Sequence, residues 1–137
     1  MKADNISFKS LDNKDVFMLI KATREGVDYD TFDKLTGGFL LDNSDWSKIL
    51  NVSERTMQRY KREKKRFDSI HTERLLLIML LFKKGTEVFE NTDSFIKWLN
   101  SENISFGGEE PMNMLDSSFG VNMIKDELIR IEHGILA

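Results

Sequence analysis

The residues best suited to chemistry in this 137-residue chain are the basic side chains of one short stretch, residues 54–66. Seven of these thirteen residues are Lys or Arg, and only Glu54 and Glu63 oppose them, although the whole chain has a formal net charge of −3. Arginine forms paired hydrogen bonds with phosphate groups and with guanine. The stretch therefore predicts an anion-binding surface.

The arginines of this stretch recur at helical spacing. Four of them occupy positions i, i+4, i+7 and i+11, which share one face of an α-helix at about 100° per residue. They are Arg55, Arg59, Arg62 and Arg66. Ser53 stands where an N-cap belongs, since its oxygen can accept a hydrogen bond from the backbone N–H of Thr56. A short helix over residues 44–50 precedes it, and the break at Asn51 and Val52 is only a few residues long.

Two short helices, a tight turn and a basic second helix form the helix-turn-helix pattern, in which the second helix reads the DNA major groove. A charged helix face is often only solvated surface. The preceding helix, the cap and the stripe made of arginine alone favour DNA reading. The residues predicted to contact DNA are Ser53, Arg55, Thr56, Gln58, Arg59, Arg62 and Arg66.

Several kinds of chemistry lack the residues that they need. The chain has no cysteine, which excludes disulfides, thiolate zinc sites and cysteine nucleophiles and fits a reducing cytosol. A calcium loop that began at Asp28 would need Gly at position 33 and Glu at position 39, but Asp33 and Phe39 stand there. Glycine-rich phosphate loops and nucleophile elbows are also missing. We predict that the protein is not an enzyme and needs no cofactor or metal.

No membrane role is expected. The longest apolar run, Leu75 to Phe82, has eight residues, far short of the roughly 20 that span a bilayer. The first residues contain no apolar signal region. These features predict a cytoplasmic protein.

Charge divides the chain into two halves. Residues 1–85 carry 17 basic and 13 acidic side chains, whereas residues 86–137 carry 3 basic and 10 acidic ones. The first half can meet nucleic acid, and the second half would be repelled by it and more readily meets a protein. The predicted organisation is a flexible N-terminus (1–12), a helix-turn-helix domain (13–85) and a small second domain (86–137).

The apolar spacing predicts an all-α protein, since no strand alternation occurs. The last helix should bury a stripe formed by Val121, Ile124, Leu128 and Ile131. Gly85 is expected to close a long helix that starts at residue 70, and Gly120 to interrupt the helices on either side of it. The predicted helices cover residues 13–24, 29–36, 44–50, 53–66, 70–84 and 94–100, then a short helix from residue 111 that Gly120 interrupts, and a last helix over 121–133.

The second half carries a motif of glycines, proline and leucine at fixed spacing. Its most specific part is Gly-Gly-x-x-Pro-x-x-x-Leu-x-x-x-x-Gly, from Gly107 to Gly120. Flanking residues that follow the same pattern are Phe89, Trp98, Leu99, Met112, Leu128, Arg130, Ile131, Glu132 and Gly134. In order and spacing this half resembles the C-terminal toxin-binding domain of the Xre/MbcA/ParS-type antitoxins.

The first half is similar to the Xre-like helix-turn-helix domain that precedes that domain. Trp46 stands before the turn, and Ser53, Arg55 and Thr56 match the Ser-x-Arg-Thr start of the second helix. The two resemblances cover about residues 15–137. They imply an antitoxin of a RES-Xre type II toxin–antitoxin system, which neutralises an NAD-degrading RES-domain toxin and represses its own operon as a dimer on operator DNA.

The resemblance also implies a toxin-binding surface. Its predicted residues are Gly107, Gly108, Pro111, Arg130, Glu132, Gly134, Ile135, Leu136 and Ala137. The glycines can instead serve only to set turns. The terminal Ile135–Ala137 is the better interface candidate, because an apolar tail has no evident core to fill.

Two other functions stay open at this point. The protein could be a stand-alone transcriptional regulator whose C-terminal half only dimerises it. It could also be an adaptor module with a degenerate helix-turn-helix. An adjacent reading frame that encodes a RES-like toxin would favour the antitoxin.

Overall fold

The computed structural model describes residues 6–134. Within them the chain forms α-helices and two short 3₁₀ segments, Ile104–Phe106 and Pro111–Met114, with an isolated bridge between Asp28 and Arg66 in place of a sheet. The all-α prediction is confirmed. The α-helices are α1 (Val16–Glu25), α2 (Tyr29–Thr36), α3 (Asn43–Leu50), α4 (Glu54–Glu63), α5 (Ser69–Phe89), α6 (Thr92–Leu99) and α7 (Ser118–Glu132).

Short polar side chains determine where most of these helices begin. In each case the residue before the helix accepts a hydrogen bond from the backbone N–H three positions later, which satisfies a donor that the first turn leaves unpaired. The capping residues are Asp15, Asp28, Asp42, Ser53, Asn91 and Ser117. The first helix therefore starts at Val16, after the Asp15 cap, and not at residue 13.

The chain divides into two compact units, of which the first ends at Leu80 and the second begins at Leu81. The core of the first unit is aromatic. The ring of Phe32 lies 5.7 Å from that of Trp46 and 5.5 Å from that of Phe67, centroid to centroid. Burying such rings removes a large apolar area from water.

The segment before α1 packs against the first unit. Ile6 and Leu11 are buried, and the ring of Phe8 meets that of Phe39 edge to face at 5.2 Å. Three apolar side chains of the stretch predicted to be a flexible N-terminus thus pack against the unit within residues 6–12, and the flexibility of residues 1–12 stays a prediction.

The second unit is built around a cluster of aromatic and aliphatic side chains. Phe95 is fully buried and its ring lies 5.4 Å from that of Phe82 and 6.3 Å from that of Trp98. From α7 the predicted stripe supplies Ile124 and Leu128, both fully buried.

Two glycines have different roles from those predicted. Gly85 does not end α5, which continues to Phe89. A Cβ at residue 85 would lie 2.1 Å from Cε1 of Phe95, so the missing side chain makes room for that ring. Gly120 lies inside α7, where a Cβ would lie 1.8 Å from the carbonyl oxygen of Met114. Both glycines are present because of close packing and not because a helix stops there.

The predicted division between residues 85 and 86 falls inside the continuous helix α5. It remains a prediction about domains, since α5 contributes residues to both compact units.

Candidate nucleic-acid and protein interfaces

Three hydrogen bonds hold the turn between α3 and α4. Asn51 adopts the left-handed conformation (φ 58°) that ends α3. The backbone N–H of Val52 donates to the carbonyl of Ser47 (3.1 Å), and the Ser47 hydroxyl donates back to the carbonyl of Val52. From α5, Nε of Arg74 donates to the carbonyl of Ile49 (2.7 Å). These bonds fix the conformation of the turn and so the orientation of α4 relative to α3, as a helix-turn-helix requires.

The start of α4 follows the prediction. The hydroxyl oxygen of Ser53 accepts from the backbone N–H of Thr56 at 3.0 Å, and the two hydroxyl groups lie 2.8 Å apart. Met57 is fully buried and attaches α4 to the unit. Ser53 and Thr56, both predicted to contact DNA, therefore also form the cap of the helix.

The opposite side of α4 presents cations to solvent. Arg55, Gln58, Arg59 and Arg62 are all exposed. The guanidinium carbon of Arg59 lies 5.7 Å from the ring centroid of Tyr60, which orients this side chain. Within residues 6–134, none of the three arginines forms an ion pair with an acidic side chain. Their charges are available to an outside anion.

Arg66 does not belong to this stripe, and the prediction that α4 reaches residue 66 is wrong. Contact of the exposed Arg66 with DNA stays a prediction. The helix ends at Glu63, because Lys64 turns left-handed (φ 54°) and the N–H of Lys65 closes on the carbonyl of Tyr60 at 3.0 Å. Nη1 of Arg66 instead donates to the carbonyl of Gly26 at 2.8 Å. A run of basic residues has no signal that separates those on the helix from those beyond it.

Arg66 also forms part of the contact between its own segment and the start of α2. Residues 28 and 66 form an isolated antiparallel bridge, and the N–H of Phe67 donates to the carbonyl of Val27 at 2.8 Å. Burial alone would raise the pKa of the Asp28 carboxyl. Hydrogen bonds from Thr31 and the charge of Arg66 outweigh that effect and lower the pKa.

In the second unit, the predicted Gly107–Gly108 pair forms an exposed, closed loop. The N–H of Asn103 donates to the carbonyl of Glu109 (3.1 Å), and the N–H of Gly108 donates to the carbonyl of Asn103 (2.9 Å). Gly107 and Gly108 have φ values of 67° and 87°, which disfavour any residue with a side chain. Each Cβ would point into open space. The backbone conformation, and not crowding, explains both glycines.

Pro111 begins the second 3₁₀ segment, as predicted for a helix start, and it is buried. The same segment brings the Met114 carbonyl against Gly120. In this structure Pro111 and Gly120 contribute to packing within the unit.

The remaining predicted residues lie at the end of α7. Arg130 is exposed, and its Nε lies 3.6 Å from a carboxylate oxygen of the buried Glu127. Nζ of Lys84 donates to both carboxylate oxygens of Glu132 at 2.7 Å, and this hydrogen bond lowers the pKa of Glu132. Gly134 is exposed with φ 70°. Ile135, Leu136 and Ala137 lie outside the described residues.

Sequence reasoning missed a pair of exposed apolar residues on α7. Phe119 is 86% exposed and Met123 is 45% exposed. At i and i+4 they share one helix face, and neither belongs to the buried stripe of Val121, Ile124 and Leu128. Large apolar side chains off the core stripe were the available signal, because nothing within the unit covers them.

No group of three or more His, Cys, Asp or Glu side chains within residues 6–134 could hold a metal ion. None of the helices in that part of the chain is both long enough and apolar enough to cross a membrane.

Comparison with known families identifies the two domains that carry these surfaces. Residues 18–79 match the model of the antitoxin Xre-like helix-turn-helix domain. Residues 84–134 match the model of the antitoxin Xre/MbcA/ParS C-terminal toxin-binding domain. The chain belongs to the Xre-type antitoxins. No curated protein matches it.

Each of the two surfaces lies inside one of the two matched domains of this antitoxin. The arginine face of α4 lies inside the helix-turn-helix match, and the glycine loop and α7 lie inside the toxin-binding match. The protein is thus a type II antitoxin with a DNA-binding domain and a toxin-binding domain. Both matched families are regulatory domains rather than enzymes.

Proposed function

We propose that this antitoxin binds operator DNA through α4 and represses its own operon as a homodimer in the cytoplasm. The single observation that carries the DNA contact is the row Arg55, Arg59 and Arg62, which is exposed on one helix face and unpaired within residues 6–134. Three guanidinium groups at this spacing along about two turns can reach phosphates and base edges of one major groove.

The start of α4 supports the same proposal. The N-terminal residues of a recognition helix contact base edges, and here the side chain of Ser53 caps that end of α4. Gln58 is exposed between Arg55 and Arg59 and has the amide group that can pair with adenine. We assign Arg55, Gln58, Arg59 and Arg62 to DNA, with Ser53 and Thr56 as the cap at the contact.

We also propose that the second unit neutralises a RES-type, NAD-degrading toxin. The RES identity rests on the resemblance of the chain to antitoxins that pair with such toxins. Toxin contact is assigned to the exposed residues of the predicted set, namely Gly107, Gly108, Arg130, Glu132 and Gly134, with Pro111 as a buried support. The predicted Ile135–Ala137, which lie outside the described residues, are kept in the proposed contact.

Phe119 and Met123 extend this proposed surface. They are the largest exposed apolar side chains on α7, and hot spots of protein interfaces are enriched in aromatic anchors. A toxin that covered Phe119 would remove its ring from water at no cost to the core of the unit.

Co-expression with the protein encoded by the adjacent reading frame tests the antitoxin function. We expect the full-length chain to restore growth and cellular NAD, and the Phe119→Glu variant to fail. Leu40→Glu is the matched control, because Leu40 is 90% exposed and lies in the first unit. Growth arrest without loss of NAD would contradict the RES assignment but not the antitoxin function. Failure of the full-length chain to rescue growth would contradict both.

A further inference from the structure

An open apolar groove of about 320 Å³ lies in the first unit between α1 and α5. From α1 it is lined by Val16, Leu19 and Ile20, and from α5 by Leu76, Leu77 and Leu80. The α1 residues are spaced i, i+3 and i+4, and the α5 residues i, i+1 and i+4. Each helix therefore presents one apolar stripe to the groove. Val16 is 54% exposed, Ile20 40% and Leu77 42%.

One more apolar side chain stands beside the groove. Phe17 is 87% exposed and adjoins Val16 on the first turn of α1. Exposing an aromatic ring and an apolar groove to water costs free energy. A partner that covered both would lower the free energy of the protein. The surface is therefore shaped to receive another helix.

The charged residues at the groove indicate which partner fits. Arg24 on α1 and Glu73 on α5 both line it. Within the described chain neither of them has an ion-pair partner. One cation and one anion at the same groove suit a second copy of the chain, since a two-fold arrangement can place each Arg24 opposite the Glu73 of the other copy. A strongly acidic or basic partner would leave one of the two opposed by a like charge.

The position of the groove favours a second copy over the toxin or DNA. All its lining residues lie between Val16 and Leu80, before the region that matches the toxin-binding domain at residues 84–134. None of them belongs to α3 or α4, so a partner helix would leave the arginine face free. Helix-turn-helix proteins read two half-sites as dimers.

We propose that the groove between α1 and α5 is the homodimer surface, in which α1 of each copy, with Phe17 beside it, packs over the groove of the other. Ridges of α1 side chains would fit between the two stripes, as in other packed helix pairs. This inference rests on the proposed homodimer and names the surface that forms it.

Sedimentation of the full-length protein without DNA or toxin tests the surface. We expect a dimer, and at least about a tenfold larger dimer dissociation constant for Ile20→Glu and Leu77→Glu, because each places an unpaired charge in the apolar contact. Both positions are part-exposed, and the far-ultraviolet circular dichroism of each variant should match the wild type. Leu40→Glu, which changes an exposed leucine outside the groove, should leave the constant unchanged.

A charge exchange provides a variant pair that does not disturb the apolar groove. Arg24→Glu and Glu73→Arg should each weaken the homodimer, since like charges then face each other across the axis. A mixture of the two variants should form heterodimers, because both charge pairs are then opposite again. Native mass spectrometry distinguishes the three species. If the heterodimer formed no more readily than either homodimer, the pairing of Arg24 with Glu73 of the other copy would be overturned.

Two further results would overturn the proposal. The first is a dimer dissociation constant that the groove variants leave unchanged, or that cannot be measured because the wild-type protein stays monomeric at all concentrations. The second is a groove variant that keeps the dimer and loses toxin rescue, which would make the toxin the occupant. A normal dimer that fails to bind its operator would contradict the repressor function and leave the groove proposal intact.

Discussion

The double variant Arg55→Ala/Arg59→Ala tests the role of α4 in DNA binding through the salt dependence of affinity. Each arginine that neutralises one phosphate contributes about 0.9 to the slope of log affinity against log salt. Both arginines are exposed and have no acidic partner within residues 6–134, so their full charge is available. Losing both should lower the slope by about 1.8 per bound copy.

That slope translates into affinity. At about 0.1 M salt the double variant should bind about 60-fold more weakly per copy, and the difference should vanish as the salt approaches about 1 M. If either arginine also pairs with guanine, its loss should cost about 1–3 kcal/mol more and relax the preference at one base. The assay is a fluorescence-anisotropy titration of the duplex upstream of the coding sequence, repeated from low to high salt.

Two single variants serve as comparisons. Lys97→Ala removes an exposed cation from the second unit and should leave the slope unchanged. Arg66→Ala should also leave it unchanged, while losing about 1–2 kcal/mol of stability because the hydrogen bond to the Gly26 carbonyl is removed. An unaltered slope in the double variant would refute the assignment of α4. A fall in slope for Arg66→Ala in folded protein would show that Arg66 faces DNA after all.

Three substitutions probe the second unit. Gly120→Ala should destabilise it by about 3 kcal/mol or more, since the new Cβ meets the Met114 carbonyl, and thermal unfolding should show a lower midpoint. Gly85→Ala gains about 1 kcal/mol of helix propensity but crowds a buried ring, so chemical denaturation should show a net loss and never a gain. Glu132→Gln should flatten the fall in thermal midpoint below pH 4.5. The Lys84 hydrogen bond lowers the pKa of Glu132 below its ordinary value of 4.5. The ionised Glu132 therefore stabilises the fold fully above pH 4.5, and this contribution is lost as the pH falls through the lowered pKa. A Glu132→Gln profile that falls as steeply as the wild type would contradict that linkage.

Local signals predicted the helix-turn-helix well. A serine before a basic, amphipathic run specifies a helix start, and the Ser53 cap of α4 is observed where it was predicted. The end of the same helix was not predictable from composition. Lys64 takes a left-handed conformation that lysine seldom adopts, so Arg66 leaves the arginine row and binds the chain at Gly26.

Tertiary packing accounts for the other differences. Gly85 and Gly120 looked like helix ends, since glycine is common there. Each instead lies inside a helix, where a ring or a carbonyl approaches too closely for a Cβ. Such contacts join residues that are distant in sequence, and no local pattern encodes them.

The candidate protein surface was only partly accessible to sequence reasoning. The motif residues Pro111 and Gly120 are buried, and Gly107 and Gly108 have the backbone angles of a tight loop. The resemblance therefore identified the toxin-binding domain, but several of its motif residues serve the packing or the turns of that domain. The position of Phe119 off the predicted core stripe hinted at its exposure, and the packing of α7 shows it.

Co-purification of the full-length chain with the protein encoded by the adjacent reading frame tests the central claim most directly. The account predicts a stable complex with the wild-type chain and with Arg55→Ala/Arg59→Ala, and loss of the complex with Phe119→Glu. The Leu40→Glu chain, altered at an exposed leucine of the first unit, should retain it. A wild-type chain that purifies without its neighbour, while the neighbour is expressed and folded, would contradict the claim that the second unit holds a toxin.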